Sequence, residues 1–382
     1  MAKAVHNVAV IGCGFAGYRA LRVLCRNKKV TVTLFEPREA LAMLPALPDV
    51  AGGWMTAKAT EASYRKILPS SVKLEKNKVQ KIDLDERGIT TASETFKFDA
   101  ILIACGAKAV PCPFNKDEKR AYTLDSTASS DKIYNDFGRY IKTAANPQVV
   151  LAGAGYTGLE LATSLAARAK AEKVTCPIYV IDIGAELLPF LPAKKRKVVI
   201  SALESLAIKF IPNARVSGWD GQNVTVGEDV YSNAFFCWTV GTTFSISELN
   251  GKVERINDGR IKVNDDLSLP GYPQIFAVGD AAAVTHKGAF LRKAVNFAWY
   301  GGPLAARNIV AALEGRNTKR YRPIDLGWAI PLHITGIGTM FNKIWFGGRF
   351  ALRIHYVMCA LRSVGLSQQT EFFKMALKLY KK

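Results

Sequence analysis

The stretch QVVLAGAGYTGLELA, residues 148–162, decides how this chain is read. Its apolar run VVLAG has the character of a buried parallel strand. Gly153, Gly155 and Gly158 follow in GxGxxG spacing, and LELATSLAARA continues as a helix. In this device the first glycine makes the tight turn and the second lets the backbone approach a pyrophosphate. The third lets helix pack on strand, and the helix N-terminus faces the phosphates. IYVID then ends at Asp182, where a carboxylate accepts hydrogen bonds from ribose hydroxyls. Nothing basic follows Asp182 within several residues, so NADH is expected in preference to NADPH, whose 2′-phosphate needs an Arg.

The chain has already built this device once. VAVIGCGFAG, residues 8–17, places Gly12, Gly14 and Gly17 between a strand and the helix YRALRVLCRN, with Phe15 and Ala16 between the last two glycines. VTVTLFE ends at Glu36, followed by Pro37. Strand, turn, helix, strand and terminal acid together predict a second dinucleotide site, whereas a lone GxGxxG would be weak evidence. Cys13, inside the loop, is read as a small filler and not as a nucleophile.

With 382 residues there is room for two or three domains, each with its own core. The net charge of +20 suits nucleic acid, an anionic membrane surface or phosphate-bearing ligands. Basic residues form no dense tract beyond AKKRK at 193–197 and the tail KLYKK, and no zinc-finger spacing or RNA-recognition motif accompanies them. Nucleic acid is therefore not an expected partner. The seven cysteines form no CxxC pair and are odd in number, so a reducing, cytoplasmic setting is expected, with no disulfide framework and no metal centre. No signal peptide is expected before VHNVAV, and no apolar run approaches the roughly 18 residues of a membrane span.

Two further segments say what a pair of cradles is for. FDAILIACGAKAVP, residues 98–111, is an apolar strand that runs through Ala104 and closes on Gly106. YPQIFAVGDAAA, residues 272–283, is another, ending in Gly279 and Asp280. With FCWTVGT, residues 236–242, which contains Gly241, these motifs in this order resemble the two-dinucleotide-binding flavoproteins, the pyridine nucleotide-disulfide oxidoreductase superfamily. The resemblance covers about residues 5–312. It implies an α/β fold of glutathione-reductase type, with two Rossmann-like domains and an NAD domain inserted into an FAD domain. The implied boundaries are 1–115 and 244–322 for FAD, 116–243 for NADH, and 323–382 for a C-terminal amphipathic helical region. It also implies that Asp280 reaches the ribityl chain and flavin-side phosphate, and that Lys293 and Ala294 open a helix beside the flavin.

Absences narrow the choice within the superfamily. The first cradle is not followed by the CxxxxC of disulfide reductases, nor by the single reactive Cys of coenzyme A disulfide reductases and their NADH oxidase relatives. Residues 113–147 hold no cysteine of the kind sulfide:quinone oxidoreductases use. MLPALPDVAGG, residues 43–53, looks like the Pro-rich segment near the flavin in type II NADH dehydrogenases. This resemblance implies an FAD-dependent, non-proton-pumping NADH:quinone oxidoreductase, with Glu160 close to the nicotinamide. The competing reading of Glu160 is a carboxylate on the first helical turn, stabilised by the helix dipole.

The chain departs from the type II pattern where an AQxAxQQG-like stretch is usual. KAVNFAWYGGPLAARNI, residues 293–309, puts Val295, Trp299 and Tyr300 at the glutamine positions. Together with Pro45 these are the expected lining of an unusually apolar acceptor pocket. The C-terminus is basic and aromatic, with eight Lys/Arg against Glu371 from Leu326 onward. On a helical wheel TEFFKMALKLYKK gathers Phe372, Phe373, Ala376, Leu377, Leu379 and Tyr380 opposite its lysines. That pattern suits a helix lying on an anionic membrane surface, which would place the protein at the inner face of the cell membrane. A helix docked on the protein body or a homodimer contact would give the same pattern. Two other activities of this fold stay open: a soluble NADH-dependent ferredoxin or rubredoxin reductase, and a slow NADH-sensing flavoprotein like apoptosis-inducing factor.

Overall fold

A computed structural model describes residues 5–115, 120–246, 248–333 and 335–378. The chain opens with β1 (His6–Ile11), α1 (Phe15–Leu24) and β2 (Val30–Phe35), then a short helix α2 (Leu47–Gly52), β3 (Val72–Glu75) and β4 (Ala100–Ile103). Its middle runs α3 (Thr127–Thr143), β5 (Val149–Ala152), α4 (Tyr156–Ala171), β6 (Ile178–Ile181), α5 (Ala193–Ser205), β7 (Ile208–Ile211) and β8 (Phe235–Trp238). After β9 (Ser268–Leu269), β10 (Tyr272–Ala277) and α6 (Val295–Leu313) come β11 (Gly327–Leu332), β12 (Thr335–Met340), β13 (Ile344–Gly347), α7 (Gly348–Arg362) and α8 (Leu366–Lys378).

Two compact units result. The first takes the described residues up to Leu41, with Ser63–Lys108 and Thr242–Asp325. Its sheet has the order β9-β10-β4-β1-β2-β3, parallel except for the antiparallel edge strand β9. The apolar strand runs are buried on both faces, as a parallel sheet requires: Val8, Ala9 and Val10 are fully shielded, and so are Ala100–Ile103. Helix α6 packs on α1 so closely that a side-chain carbon at Gly302 would sit 2.2 Å from the Ala16 carbonyl oxygen, which explains the glycines of AWYGGP.

The second unit takes Ala42–Ala62, Ala109–Gly241 and the residues from Leu326 onward. Its sheet, β7-β6-β5-β8, is wholly parallel. Residues 42–62 fall within the 1–115 segment expected for the FAD domain, and they cluster here because α2 is buried on all its residues against α3 and α4. One core holds Ala51 of α2, Ile133 of α3, Leu161 of α4, and Ile330 and Ile337 of the C-terminal strands.

The apolar side of the last helix divides in two. Phe372 is fully buried and Ala376 nearly so, with α8 packed on α7, while Leu377 is 61% and Leu366 83% exposed. Gln368, also buried, donates from Nε2 to the Thr60 carbonyl at 2.6 Å. Leu379, Tyr380, Lys381 and Lys382 lie outside the described residues. No helix among the described residues is long and apolar enough to cross a membrane.

Candidate functional site

The two glycine loops match in detail. Gly12 and Gly153 adopt φ of +91° and +102°, the left-handed region that favours glycine. A side-chain carbon at Gly17 would stand 2.0 Å from the Gly12 carbonyl oxygen, and one at Gly158 the same 2.0 Å from that of Gly153. Helix and strand can meet only because neither residue has one. A carbon at Gly14 or Gly155 would meet no atom of the described residues within 4 Å. Each stands at the N-cap of its helix, α1 or α4, where no side chain caps the N–H groups and the first turn carries no acid. Two helix N-termini thus present free donors to open space over a glycine, which is what a pyrophosphate requires.

The acid at each strand end closes its loop. Glu36 accepts at Oε2 from the backbone N–H of Cys13 (2.8 Å), and Asp182 accepts at Oδ2 from that of Ala154 (2.7 Å). Asp182 takes a second bond at Oδ1 from Gly184 N (2.7 Å). Glu36 is almost wholly buried, which alone would raise its pKa. Arg38 reverses the shift, donating from Nε at 2.8 Å and Nη2 at 2.7 Å, and holds the carboxyl below its ordinary range. Tyr64 donates to the Cys13 carbonyl at 2.7 Å, while burial pushes the Cys13 thiol up, so this cysteine is inert filler.

The segments after β4 and β8 lie against these loops in the same way. A carbon at Gly12 would meet Cys105 Cα at 2.6 Å, and one at Gly153 would meet the Thr239 carbonyl oxygen at 2.7 Å. Ala104 N donates to Ile11 O and Thr239 N to Ala152 O, before the left-handed Gly106 and Gly241. Pro37 is exposed beside Glu36.

On the far side of the first cradle, Gly279 turns with φ +69° and its Cβ position lies 3.2 Å from Ala16 Cβ. Asp280 follows in a small cavity lined by Arg260, Lys293, Phe297 and Tyr321. Burial raises its pKa, and the charges of Lys293 and Arg260 offset part of that rise. Lys293 Nζ donates to the Thr242 carbonyl (3.0 Å) and hydroxyl (2.8 Å) and pairs with Asp258 at 3.3 Å. Arg260, itself buried, pairs with Asp258 at 2.9 Å and donates to the Leu291 carbonyl at 2.6 Å. Ala294 caps α6, and Val295 begins it.

The residues expected to line an acceptor pocket belong to both units. Trp299 packs 6.3 Å from Phe15, with the Arg19 guanidinium 4.6 Å from its ring centre, and Tyr300 is 47% exposed. Pro45 belongs to the second unit, in the turn Leu44–Ala46 before α2.

Glu160 is the fifth residue of α4, beyond the first turn, where the helix dipole has little hold on it. It answers to another acid instead. Asp49 of α2 raises the Glu160 pKa by its charge, on top of the larger effect of burial. Asp49 is 8% exposed, and Tyr356 of α7 donates to its Oδ1 at 2.8 Å. Sequence reasoning missed Asp49, Tyr356, Arg38, Tyr64 and Arg260. Arg38 had a signal, a cation two residues after the strand-end acid; the Asp49–Tyr356 contact joins residues 307 apart and had none.

Comparison with known proteins agrees with this geometry. The family model described as pyridine nucleotide-disulphide oxidoreductase matches residues 6–302. A type II NADH:quinone oxidoreductase of Staphylococcus aureus is 23% identical over 373 residues, covering 90% of this chain and 92% of that protein. Among solved structures, NDH2 from Plasmodium falciparum in complex with NADH superposes with a TM-score of 0.83 at 15% identity, covering 98% of both chains. The sulfide:quinone oxidoreductase of Aquifex aeolicus gives 0.78 at 19% identity, over 97% of this chain and 92% of that one. The cofactors are FAD and NADH. With both glycine loops, both strand-end acids and the Gly279–Asp280 turn inside the matched span, the chain belongs to the pyridine nucleotide-disulphide oxidoreductase family, as an oxidoreductase most like the type II NADH dehydrogenases.

Proposed function

We propose that this protein oxidises NADH and passes the two electrons to a quinone without a thiol relay. The observation that carries the reading is the state of the cysteines beside the first cradle. All seven cysteines are free, and burial pushes Cys13 above its ordinary range and Cys105 up to about 11. A thiol held so firmly protonated is a poor nucleophile, so neither cysteine there supports disulfide or persulfide chemistry. Bound flavin supplies the remaining capacity, accepting a hydride and releasing electrons to a diffusible acceptor.

The chain contributes position and charge. FAD takes the cradle of Glu36 and NADH that of Asp182. The N–H groups of α1 and α4 hold the two pyrophosphates, the two acids take the ribose hydroxyls, and Asp280 takes the ribityl side of FAD. Gly106, Gly241 and Ala294 let backbone come close to the cofactors. Glu160 orients the nicotinamide. Pro45, Val295, Trp299 and Tyr300 offer apolar and aromatic surface suited to a quinone ring.

The C-terminal region supplies a membrane contact in this reading. Phe341, Ile344, Phe350, Leu366 and Leu377 are each more than half exposed; Lys343 and Arg349 lie among them in sequence, and Lys378 follows Leu377. Apolar groups interleaved with cations fit an anionic bilayer interface. A second copy of the chain is the competing occupant.

The decisive measurement is anaerobic. NADH should bleach the yellow protein in one turnover, and a ubiquinone or menaquinone analogue should restore the colour within the catalytic turnover time. A bleached flavin that quinone leaves reduced, while ferredoxin reoxidises it, would replace the quinone reading by the reductase one.

A further inference from the structure

The tract AKKRK, residues 193–197, has no part in the cradles themselves, and its four cations do not act alike. It opens α5, with Lys194 and Lys197 exposed and Lys195 held over the Trp345 ring at 5.6 Å. Arg196 turns inward instead: its side chain is 15% exposed, and it serves the loop that leaves β6 after Asp182. Nη1 pairs with Glu186 at 2.6 Å, while Nη2 donates to the Leu191 carbonyl at 3.0 Å and to the Pro189 carbonyl at 3.4 Å. One planar fork thus ties three residues of the loop, which the point charge of a lysine does not reproduce.

The shape of the loop calls for such a tie. Leu187, Leu188 and Leu191 are buried in the core of the second unit and anchor its inner side. Leu188 does so at φ +46°, the left-handed region that a residue with a Cβ keeps only where its surroundings impose it. Phe190 faces outward, 50% exposed, with its ring 5.4 Å from that of Tyr156 and 5.5 Å from that of Trp328. Tyr156 is the first residue of α4, directly after the Gly155 N-cap. The loop therefore runs from the strand-end acid to the start of the phosphate-facing helix, at the carboxyl edge of a parallel sheet, where such sheets take ligands. Ile183 at its start is 68% exposed, so apolar surface lies open at both ends of the loop.

We infer that Arg196 is a positioning residue for NADH: by binding Glu186 and the Leu191 carbonyl it holds the 183–191 loop in the form that seats Phe190 against Tyr156 before the nucleotide arrives. Phe190 then offers an apolar wall on the flank of the second pyrophosphate site. Such a wall keeps water from the N–H groups at the start of α4 and strengthens their bonds to phosphate, because a lower local dielectric screens charge less. Without Arg196 the loop has to be ordered at the moment of binding, and affinity falls by that cost. The effect lies on binding and not on hydride transfer, since the guanidinium bonds to the loop and acts on the nucleotide only through it.

The inference deepens the assignment of NADH to the Asp182 cradle and rests on it, and it is independent of which acceptor takes the electrons. A guanidinium that merely stapled the loop to α5 for stability would, when removed, lower the melting temperature and leave nucleotide affinity alone.

The test is calorimetric binding of NAD⁺ to the oxidised holoprotein, which needs no turnover. Arg196→Gln should raise the Kd for NAD⁺ about three- to tenfold, and Phe190→Ala should raise it by a similar factor. The double variant should bind no worse than the weaker single one, because both changes act through one contact. With ferricyanide as acceptor, the KM for NADH should rise in step while kcat at saturating NADH holds. Hydrogen exchange at the amides of residues 183–191 should speed up in nucleotide-free Arg196→Gln and slow again when NAD⁺ binds. If Arg196→Gln does not fold, Glu186→Gln at its half-exposed site should give the same changes in smaller measure. Wild-type NAD⁺ affinity in whichever of these two variants folds, or losses that add in full in the double variant, would overturn the inference. Failure of the NADH assignment shows elsewhere: Asp182→Ala would then bind NAD⁺ as tightly as wild type.

Discussion

The Ala154 backbone N–H donates to the Asp182 carboxylate at 2.7 Å, across 28 residues of chain. The bond pins the end of β6 over the second glycine loop, just as Cys13 pins Glu36 over the first. In both sites the acid is oriented before any ribose arrives, which lowers the ordering cost of binding.

Replacing Asp182 with Ala should therefore weaken NADH and spare FAD. A hydrogen bond to a charged group is worth about 1.5–3 kcal/mol, so the Kd for NADH should rise roughly 10- to 100-fold. Flavin content read from the visible spectrum should be unchanged. Loss of flavin instead would mean that the second cradle does not hold the nicotinamide nucleotide.

Asp280→Ala should yield protein depleted of yellow cofactor as purified, with flavin affinity down by about tenfold or more. The side chain stands in the cavity with Lys293 and Arg260, whose charges act on it, and in the proposed reading it is the group that takes the ribityl side of FAD. Full flavin occupancy in this variant would remove Asp280 from the FAD site.

Gly158→Ala tests the close approach in the second loop. The added methyl would sit 2.0 Å from the Gly153 oxygen, so the loop must open, at a cost of about 1–3 kcal/mol. NADH-dependent bleaching should fall while flavin stays bound, and a variant with wild-type NADH affinity would contradict the geometry.

Asp49 should make stability depend on pH with a definite sign. Its pKa is raised from 3.8 to about 7, so the folded protein retains a proton that the unfolded chain has released. Stability should decline as pH rises from about 4 to about 7 and level off above, by up to about 4 kcal/mol. Thermal melts across that window should show the decline in wild type and a much shallower one in Asp49→Asn. Parallel curves would show that Asp49 titrates normally.

The last helix gives a contrast between its two apolar sides. Phe372→Ala should destabilise the fold by about 3–5 kcal/mol, because the ring is fully buried. A Leu366→Glu, Leu377→Glu double variant should leave the melting temperature nearly unchanged and weaken pelleting with anionic vesicles several-fold. Vesicle binding that survives in the double variant would place the membrane contact elsewhere, or nowhere.

Much of this site was legible in the sequence because it is local. A strand, a glycine turn, a helix and an acid at the next strand end are fixed by short-range sterics and by the donors a helix N-terminus leaves free, so Gly12 to Glu36 and Gly153 to Asp182 could be read by spacing. The acceptor-side residues were not readable in this way. The Trp299 ring packs beside Phe15 with the Arg19 guanidinium over it, a contact between α6 and α1 that spacing along the chain does not encode. The wheel of the last helix gathers Phe372 and Leu377 on one side, and packing on α7 buries one and exposes the other.

The sequence by itself determined that this chain carries two nucleotide cradles in a fixed order, since each is written in contiguous residues under backbone constraint. Tertiary structure alone decided the electrostatics around Glu160. Asp49, Glu160 and Tyr356 come from three separate segments, and only their common burial, with no cation among the described residues to offset it, turns ordinary side chains into a coupled acid pair.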